Sequence, residues 1–348
     1  MRRIDRSTIA YAWFVVALLW PVALLNYLDR QMLAAMKYSV MQEIPSIGVD
    51  ANWGYMLGQF KWVYAFLSPI GGYLADRFSR RYTVCASLFV WSGVTWATGH
   101  VTDYNSLLWT RTLMGISEAC YIPAALAMIA DYHTGDTRSR AVGVHQTAIY
   151  AGIIIGGFSG YVADNADFGW RFAFDITGIV GMCYAFPLLL LLRDPPALAI
   201  EKAAEPKGHV SVRIALRDLL SNRSFLLLVA CFTLPAQAGW IVKDWMPAIL
   251  KDKFDIGQGH AGVSATLYVN LASLGAAFFG GWLADRLMRR TVRGRIYVSA
   301  LGMSLLIPAL FGVGDASSLN VAIGFLIVFG IGWGFFDCNN MPILSQLV

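Results

Sequence analysis

Long apolar segments separated by short charged connectors make up most of the chain. A segment of about 20 apolar residues can cross the hydrocarbon core of a bilayer as a helix. Strands of a membrane barrel would alternate apolar and polar residues, whereas these segments are apolar almost throughout. The pattern predicts an all-α membrane protein with ten transmembrane helices, at residues 11–36, 54–75, 82–100, 105–130, 140–163, 170–192, 224–250, 260–284, 295–314 and 318–346.

The composition and the distribution of charge support this interpretation. Of the 348 residues, 57% are hydrophobic and 14% are charged, against about 25% charged in an average soluble domain. With the N-terminus in the cytoplasm, 19 of the 27 Lys and Arg residues lie in the tail and the inward connectors, and four lie in outward loops. This asymmetry predicts a cytoplasmic N-terminus, and it explains the net charge of +5 without a nucleic-acid partner.

The outward loops are short and carry no N-x-S/T sequon, because the sequon at residues 222–224 falls in an inward connector. This favours a bacterial inner membrane, where we expect a monomer in the lipid bilayer. The five cysteines lie in apolar segments without C-x-x-C spacing, and no catalytic or phosphate-binding motif occurs in a supporting context. We therefore expect no metal, no cofactor and no enzymatic activity.

An internal repeat divides the chain into two parts. Residues 71–81 read GGYLADRFSRR and residues 280–290 read GGWLADRLMRR, with eight of eleven positions identical. Each copy follows the second predicted helix of its half, which indicates parallel repeats related by an axis along the membrane normal. The predicted organisation is a six-helix bundle (1–192), a cytoplasmic linker (193–223) and a second bundle of four helices (224–348).

The repeated segment resembles the signature of the major facilitator superfamily, G-x-L-A-D-R-x-G-R-R, with Ser79 and Met288 where the family usually has Gly. This resemblance implies a major facilitator fold of two pseudo-symmetric bundles with twelve helices, so we expect the chain to be a fragment of a longer protein. The acids and arginines of both copies are candidates for a cytoplasmic gate that latches the two halves. The alternative is that the arginines only obey the positive-inside rule. The residues are Asp76, Arg77, Arg80, Arg81, Asp285, Arg286, Arg289 and Arg290.

Within the superfamily, the first half is similar to spinster-type transporters at Asn26–Arg30, at Arg111–Ala119 and at Gly169–Arg171. Glu118-Ala119 followed by Ile122-Pro123-Ala124 is also similar to anion:cation symporters, which is the second choice. The spinster resemblance implies that helices 1, 4, 7 and 10 line a central cavity. It also implies that Asp29, Arg30 and Glu118 serve coupling and substrate binding.

Among the ionisable residues of the predicted spans, Asp29, Arg30, Arg111 and Glu118 are expected at membrane depth. Ionisable groups at membrane depth are costly, and they therefore mark functional sites by default. Sequence neighbours point about 100° apart on a helix, so at least one of Asp29 and Arg30 needs a partner elsewhere. Arg111 lies at a depth that matches that of Asp29, on the fourth span. We interpret the four as a proton-coupling and substrate site. The alternative is a permanent structural ion-pair network.

Other polar and aromatic side chains within the spans are weaker candidates for the substrate cavity. Polar residues in a bundle also serve as contacts between helices, so both readings stay open. These candidates are Asn26, Tyr27, Tyr121, Gln237, Trp240 and Asn270.

The predicted function is a secondary active transporter that moves a small organic anion or amphiphilic solute by alternating access, coupled to protons. The first alternative is an exporter or scramblase of lysolipids or sphingolipids. The second, of another class, is a receptor that binds a solute without moving it. The sequence does not identify the substrate, nor does it separate symport from antiport or uniport.

Overall fold

The fold is entirely helical in a computed structural model that describes residues 6–133, 136–195, 217 and 220–347. No strand occurs in these ranges, which confirms the predicted all-α class. The helices form two compact units, Met1–Glu205 and Pro206–Val348. The boundary falls within 193–223, most of which lies outside the described residues, so the linker role of that segment stays a prediction.

Among its described residues, the first unit contains eight helices and a short 3-10 turn at Pro45–Ile47. The helices are α1 (Arg6–Ala35), α2 (Lys37–Glu43), α3 (Asp50–Arg77), α4 (Arg80–Thr98), α5 (Tyr104–Glu118), α6 (Tyr121–Tyr132), α7 (Asp136–Asp164) and α8 (Gly169–Leu191). Four further helices are described in the second unit: α9 (Arg223–Phe254), α10 (Gln258–Met288), α11 (Gly294–Asp315) and α12 (Leu319–Leu347).

Each of the ten predicted spans coincides with a helix or, at 105–130, with the consecutive pair α5 and α6. In the described part of the chain, eight helical segments are long and apolar enough to cross a membrane, with Tyr104–Tyr132 counted as one. The remaining two predicted spans, 54–75 and 82–100, are the less apolar helices α3 and α4. Large apolar side chains such as Leu190 and Phe66 remain 78% and 73% exposed, which suits a surface that faces lipid.

The backbones of α1 and α7 lie in close contact in the first unit. A Cβ atom on Gly152 would lie 2.3 Å from the carbonyl oxygen of Leu24, and one on Gly156 would lie 2.9 Å from that of Leu28. Only glycine allows such backbone contact, because it has no Cβ atom. Small residues serve this role where membrane helices pack closely. The segment of α1 that carries Asp29 is therefore held directly against α7.

The fourth predicted span is interrupted between α5 and α6, immediately after Glu118. Pro123 explains the break, because proline lacks an N–H and its ring clashes with the carbonyl four residues earlier. The Ser87 hydroxyl on α4 donates to the carbonyl oxygen of Ser117, a group that a continuous helix would satisfy internally. The break leaves Glu118 at a helix end, which the sequence pattern did not predict.

In the second unit, α12 packs against both α10 and α11. Val269, Leu306 and Phe329 belong to its buried core. Gly302 and Gly332 lie against each other, with an added Cβ only about 2.5 Å from the opposing carbonyl oxygen. The polar side chains described below lie on α9 and α12.

Candidate functional site

The four ionisable residues predicted at membrane depth come together inside the first unit. Arg30 on α1 reaches Glu118 at the end of α5, with Nε donating to Oε2 at 2.7 Å and Nη2 at 2.6 Å from the same oxygen. The side chain of Glu118 is fully buried and that of Arg30 is 11% exposed. The fourth predicted span thus supplies a partner for the first span, as the sequence suggested. That partner is the Glu118 carboxylate, which pairs with Arg30.

Asp29 and Arg111, which the sequence places at matching depths, do not form a direct ion pair. The Thr95 hydroxyl donates to Asp29 Oδ2 at 2.9 Å, and Arg111 Nη2 donates to Thr98 Oγ1 at 3.1 Å. Two hydroxyls one turn apart on α4 therefore each form one hydrogen bond with these charged groups. Arg111 still lies close enough to interact electrostatically with Asp29 and Glu118, and the four charges sum to zero when all are ionised.

Several polar atoms of this cluster have no hydrogen-bond partner among the described residues. They include Asp29 Oδ1, Glu118 Oε1 and Arg111 Nε. Asn26 is completely buried and lies beside Glu118. Buried polar atoms are costly unless they are paired, so this cluster differs from a fully satisfied structural network.

Aromatic rings from two helices surround the Arg30 guanidinium. Its Cζ atom lies 4.9 Å from the ring centroid of Tyr27 on α1, 4.9 Å from that of Phe60 and 4.7 Å from that of Tyr64, both on α3. The predicted candidate Tyr27 is therefore part of the cluster. Sequence reasoning missed Phe60 and Tyr64, although their i, i+4 spacing, which places two rings on one face of a helix, was a usable signal.

Two weaker candidates are satisfied away from the charge cluster. The Tyr121 hydroxyl donates to the carbonyl oxygen of Leu19 at 3.2 Å and lies 3.1 Å from His145 Nε2, and its ring is fully buried. Asn270 Nδ2 donates to the carbonyl oxygen of Thr266 in its own helix at 2.7 Å. Both side chains contribute to packing within their units in the structure.

The remaining weaker candidates, Gln237 and Trp240, line a cavity of about 390 Å³ in the second unit. Lys243 Nζ lies in it, 5.4 Å from the ring centroid of Trp240 and 5.6 Å from that of Trp333. A Cβ on Gly239 would lie 2.3 Å from the Trp333 ring, so glycine creates the space for this indole. Other lining residues are Phe232, Thr233, Ala236, Phe336, Asp337 and Asn340.

The first signature segment (residues 71–81) is held by contacts within its own unit. Ser79 is the N-cap of α4, where its hydroxyl accepts from the Tyr82 N–H and donates to Asp194, which also accepts from the Arg81 N–H at 3.0 Å. Ser79 therefore replaces the usual Gly with a capping residue. Arg80 pairs with Asp131.

Two more arginines of this segment also bond within the first unit. Arg81 Nε donates to the carbonyl oxygen of Leu189 at 2.9 Å, and Arg77 Nη1 donates to the Tyr73 hydroxyl at 3.0 Å. The side chain of Asp76 lies outside the described residues.

The second signature segment (residues 280–290) forms an ion pair with an arginine outside the repeat. Asp285 pairs with Arg295 at 3.0 Å, across the turn that leads into α11. Arg286 lies over the ring of Trp282 instead, 5.6 Å from its centroid. Arg289 is the C-cap residue of α10, and the Arg290 N–H donates to the Leu287 carbonyl oxygen at 2.8 Å. A latch between the two segments stays a prediction.

Asp103 lies in the loop before α5, outside the spans, and caps the start of this helix. Asp103 accepts hydrogen bonds from the N–H groups of Ser106 and Asn105, and the Ser106 hydroxyl accepts from the Asp103 N–H. These bonds, chiefly those from Ser106, hold the pKa of the Asp103 carboxyl below its ordinary value. This capping box fixes the register of the helix that carries Arg111 and Glu118.

Comparison with known proteins identifies the family. The model of the Major Facilitator Superfamily matches residues 19–348. The chain belongs to this superfamily. The prediction of a major facilitator protein similar to spinster proteins is therefore confirmed, and the protein is a multi-pass integral membrane protein.

Its similarity to spinster proteins extends over both units. It is 32% identical to human protein spinster homolog 1 over 263 residues, covering 74% of this chain and 49% of that protein. It is 30% identical to the mouse sphingosine-1-phosphate transporter SPNS2 over 233 residues, covering 65% of this chain and 41% of that protein. The chain thus spans about half the length of the curated relatives it matches. Spinster-type members of the superfamily are transporters, which agrees with the expectation that the chain is not an enzyme.

A solved structure supports the fold. A bacterial homolog to the human lysosomal transporter spinster, in an inward-facing and unoccupied conformation, superposes with a TM-score of 0.80 at 21% identity. The match covers 97% of this major facilitator chain and 76% of that chain.

Proposed function

We propose that this major facilitator chain belongs to a secondary transporter that moves a small organic anion or amphiphilic solute by alternating access, coupled to protons at Glu118 and Asp29. The observation that carries the proposal is the buried cluster of two acids and two arginines, with carboxylate oxygens that have no hydrogen-bond partner among the described residues. Charges at this depth cost several kcal/mol, so their presence favours a functional role.

Each residue of the cluster has a proposed role. Glu118 binds and releases the proton, because its ion-pair partner is Arg30 and its Oε1 atom has no hydrogen-bond partner among the described residues. Arg30 binds the anionic group of the solute when Glu118 is protonated. Asp29, held by Thr95, and Arg111, held by Thr98, set the electrostatic potential around this exchange.

The cavity in the second unit is proposed as a separate binding site for organic solutes. Two indoles and two phenylalanines offer apolar and aromatic contacts, while Lys243, Gln237 and Asn340 offer polar ones. Such a lining suits an organic solute with both polar and apolar parts. We also propose that the N-terminus is cytoplasmic, that the membrane is a bacterial inner membrane and that the two units act as the halves of a rocking mechanism.

Glu118→Gln tests the coupling role. The full chain is reconstituted in proteoliposomes, and uptake of radiolabelled glucuronate and of lysophosphatidylglycerol is measured with and without an imposed pH gradient. We expect at least a tenfold loss of gradient-driven uptake, since glutamine cannot carry the proton, while exchange at equal pH persists. Asp315→Asn is the control because it removes an exposed carboxylate at the end of α11. Unchanged gradient dependence in Glu118→Gln would remove this residue from coupling.

A lipid exporter or scramblase is the second candidate, favoured by the aromatic cavity and by the sphingosine-1-phosphate transporter among the relatives. Transbilayer movement of a fluorescent lysolipid, followed by dithionite quenching, separates it from uptake of a small anion. Binding of either probe without any flux would instead support the receptor.

A further inference from the structure

The Arg30 guanidinium is held by two independent sets of contacts. One set is the ion pair with Glu118 of α5, with distances of 2.7 and 2.6 Å. The other set consists of the rings of Tyr27, Phe60 and Tyr64 on α1 and α3, whose centroids lie 4.7 to 4.9 Å from Cζ. A cation within about 6 Å of a ring centroid is attracted by the electrons of the ring face.

The two sets respond differently to a change in the charge of Glu118. Removing one partner of a buried ion pair leaves the other charge uncompensated, which normally drives it to move or to recruit another anion. The attraction of an aromatic face for a cation requires no anion, so it persists when Glu118 is neutral. Three faces around one guanidinium therefore supply a hold that is independent of the proton on Glu118.

Other charged and titratable groups near Arg30 do not replace this hold. Glu118 forms the ion pair with Arg30, while the neutral phenols of Tyr27 and Tyr64 present their rings to it. Asp29 is bonded to Thr95 and forms no ion pair with Arg30 in the described part of the chain, and Arg111 is bonded to Thr98 and repels a second guanidinium. When the Arg30–Glu118 bond opens, the rings are thus the main contacts left to Arg30.

We propose that Tyr27, Phe60 and Tyr64 form an aromatic cage, a set of positioning residues that keeps the Arg30 guanidinium in place when its bond to Glu118 opens. The released N–H groups then face the cluster and can bind a carboxylate or phosphate of the solute. Only this last step rests on the proposed transport function. The cage itself is a property of the protein without solute.

Chemical labelling of Arg30 tests the cage directly. The purified full chain in nanodiscs is treated with phenylglyoxal, which modifies accessible guanidinium groups, and the rate at each arginine is read by peptide mass spectrometry. We expect Glu118→Gln alone to raise the Arg30 rate by no more than about threefold, because the rings still hold the side chain. Glu118→Gln with Tyr64→Leu is expected to raise it at least tenfold further, equivalent to about 1.4 kcal/mol.

Conservative and internal controls make the result specific. Glu118→Gln with Tyr64→Phe keeps the ring and is expected to return the Arg30 rate to that of Glu118→Gln. Phe60→Leu in place of Tyr64→Leu provides a second route to the same loss of a ring. Arg111 has no ring contact among the described residues and reports any general loosening of the bundle.

Two outcomes would overturn the cage. The first is full labelling of Arg30 in Glu118→Gln with no added effect of Tyr64→Leu or Phe60→Leu. The second is an equal rise at Arg30 and Arg111, which would assign the rings to packing alone. Labelling requires no solute flux, so a failure of the uptake experiment leaves this result intact and tells the two proposals apart.

Discussion

At the scale of single residues, the structure explains why Ser79 can stand where the superfamily usually has Gly. Ser79 both caps α4 and donates to Asp194, which lies three residues beyond the end of α8. Asp194 also accepts from the Arg81 N–H, which is otherwise an orphan donor in the first turn of α4. The side chain thus stabilises a helix terminus and attaches the end of α8 to it.

We expect Ser79→Ala to lower the free energy of unfolding of the first unit by about 1 kcal/mol, the usual cost of losing an N-cap. Ser79→Gly is expected to cost less at the cap but to lose the same bond to Asp194. Thermal unfolding of the detergent-purified chain measures both changes. Ser304→Ala is the control because Ser304 is exposed and bonds only within its own helix. If Asp194→Ala and Ser79→Ala were fully additive in the double variant, the proposed contact would contribute nothing.

At the scale of helices, the position of the charge cluster depends on how closely α1 approaches α7. Gly152 and Gly156 allow the backbones to touch, and this contact orients the segment of α1 that ends in Asp29 and Arg30. The break after Glu118 has a comparable effect on α5, since it places a carboxylate at a helix end. Both features come from residues without charge, so the site depends on packing as much as on its ionisable groups.

Gly152→Leu should separate α1 from α7, because its Cβ would meet the backbone oxygen of Leu24, which cannot move aside. We expect a loss of roughly 1–3 kcal/mol or more in the free energy of unfolding. The yield of monodisperse protein in size-exclusion chromatography and the unfolding temperature report this loss. Gly143→Ala is the control on the same helix, since an added Cβ at Gly143 would have no neighbouring atom within 4 Å. Equal stability of the two variants would show that the contact is not required.

These cases show how far the sequence predicts the site. The identity of the four buried charges followed from the cost of charge in lipid, which depends only on a residue lying within an apolar segment. Which partner each charge binds did not follow, because rotation of each helix about its axis decides that. Thr95 and Thr98 became partners of Asp29 and Arg111 because α4 presents both hydroxyls, one turn apart.

At the scale of the whole molecule, loops alternate between two ends within each unit. At one end of the first unit, Arg171 donates to the carbonyl oxygens of Gly99 and Val101. In the second unit, between the end of α9 and the end of α11, Lys253 donates to the carbonyl oxygen of Val313 at 3.1 Å. The signature segments lie at the opposite helix ends, where the basic residues are concentrated. This arrangement agrees with the orientation expected from charge, which stays a prediction.

Cysteine labelling tests that orientation. In a cysteine-free background expressed in a bacterial inner membrane, Thr102→Cys and Asp167→Cys are expected to react with a membrane-impermeant maleimide on intact spheroplasts. Val292→Cys, in an exposed position between α10 and α11, is expected to react only after permeabilisation. The reverse pattern would place the N-terminus outside and contradict the charge rule for this protein.

The sequence by itself determined the properties that depend on local chain composition: the membrane-spanning helices, the two repeated signature segments and the superfamily. Burial of apolar segments in lipid requires only length and hydrophobicity, so each of the ten predicted spans has its helix. The tertiary structure alone decided which groups meet: Arg30 with Glu118 and three rings, Asp29 with Thr95, and Asp285 with Arg295. These pairings depend on helix rotation and on backbone contacts at glycines, which bring together residues distant in sequence and leave no periodic signal along the chain.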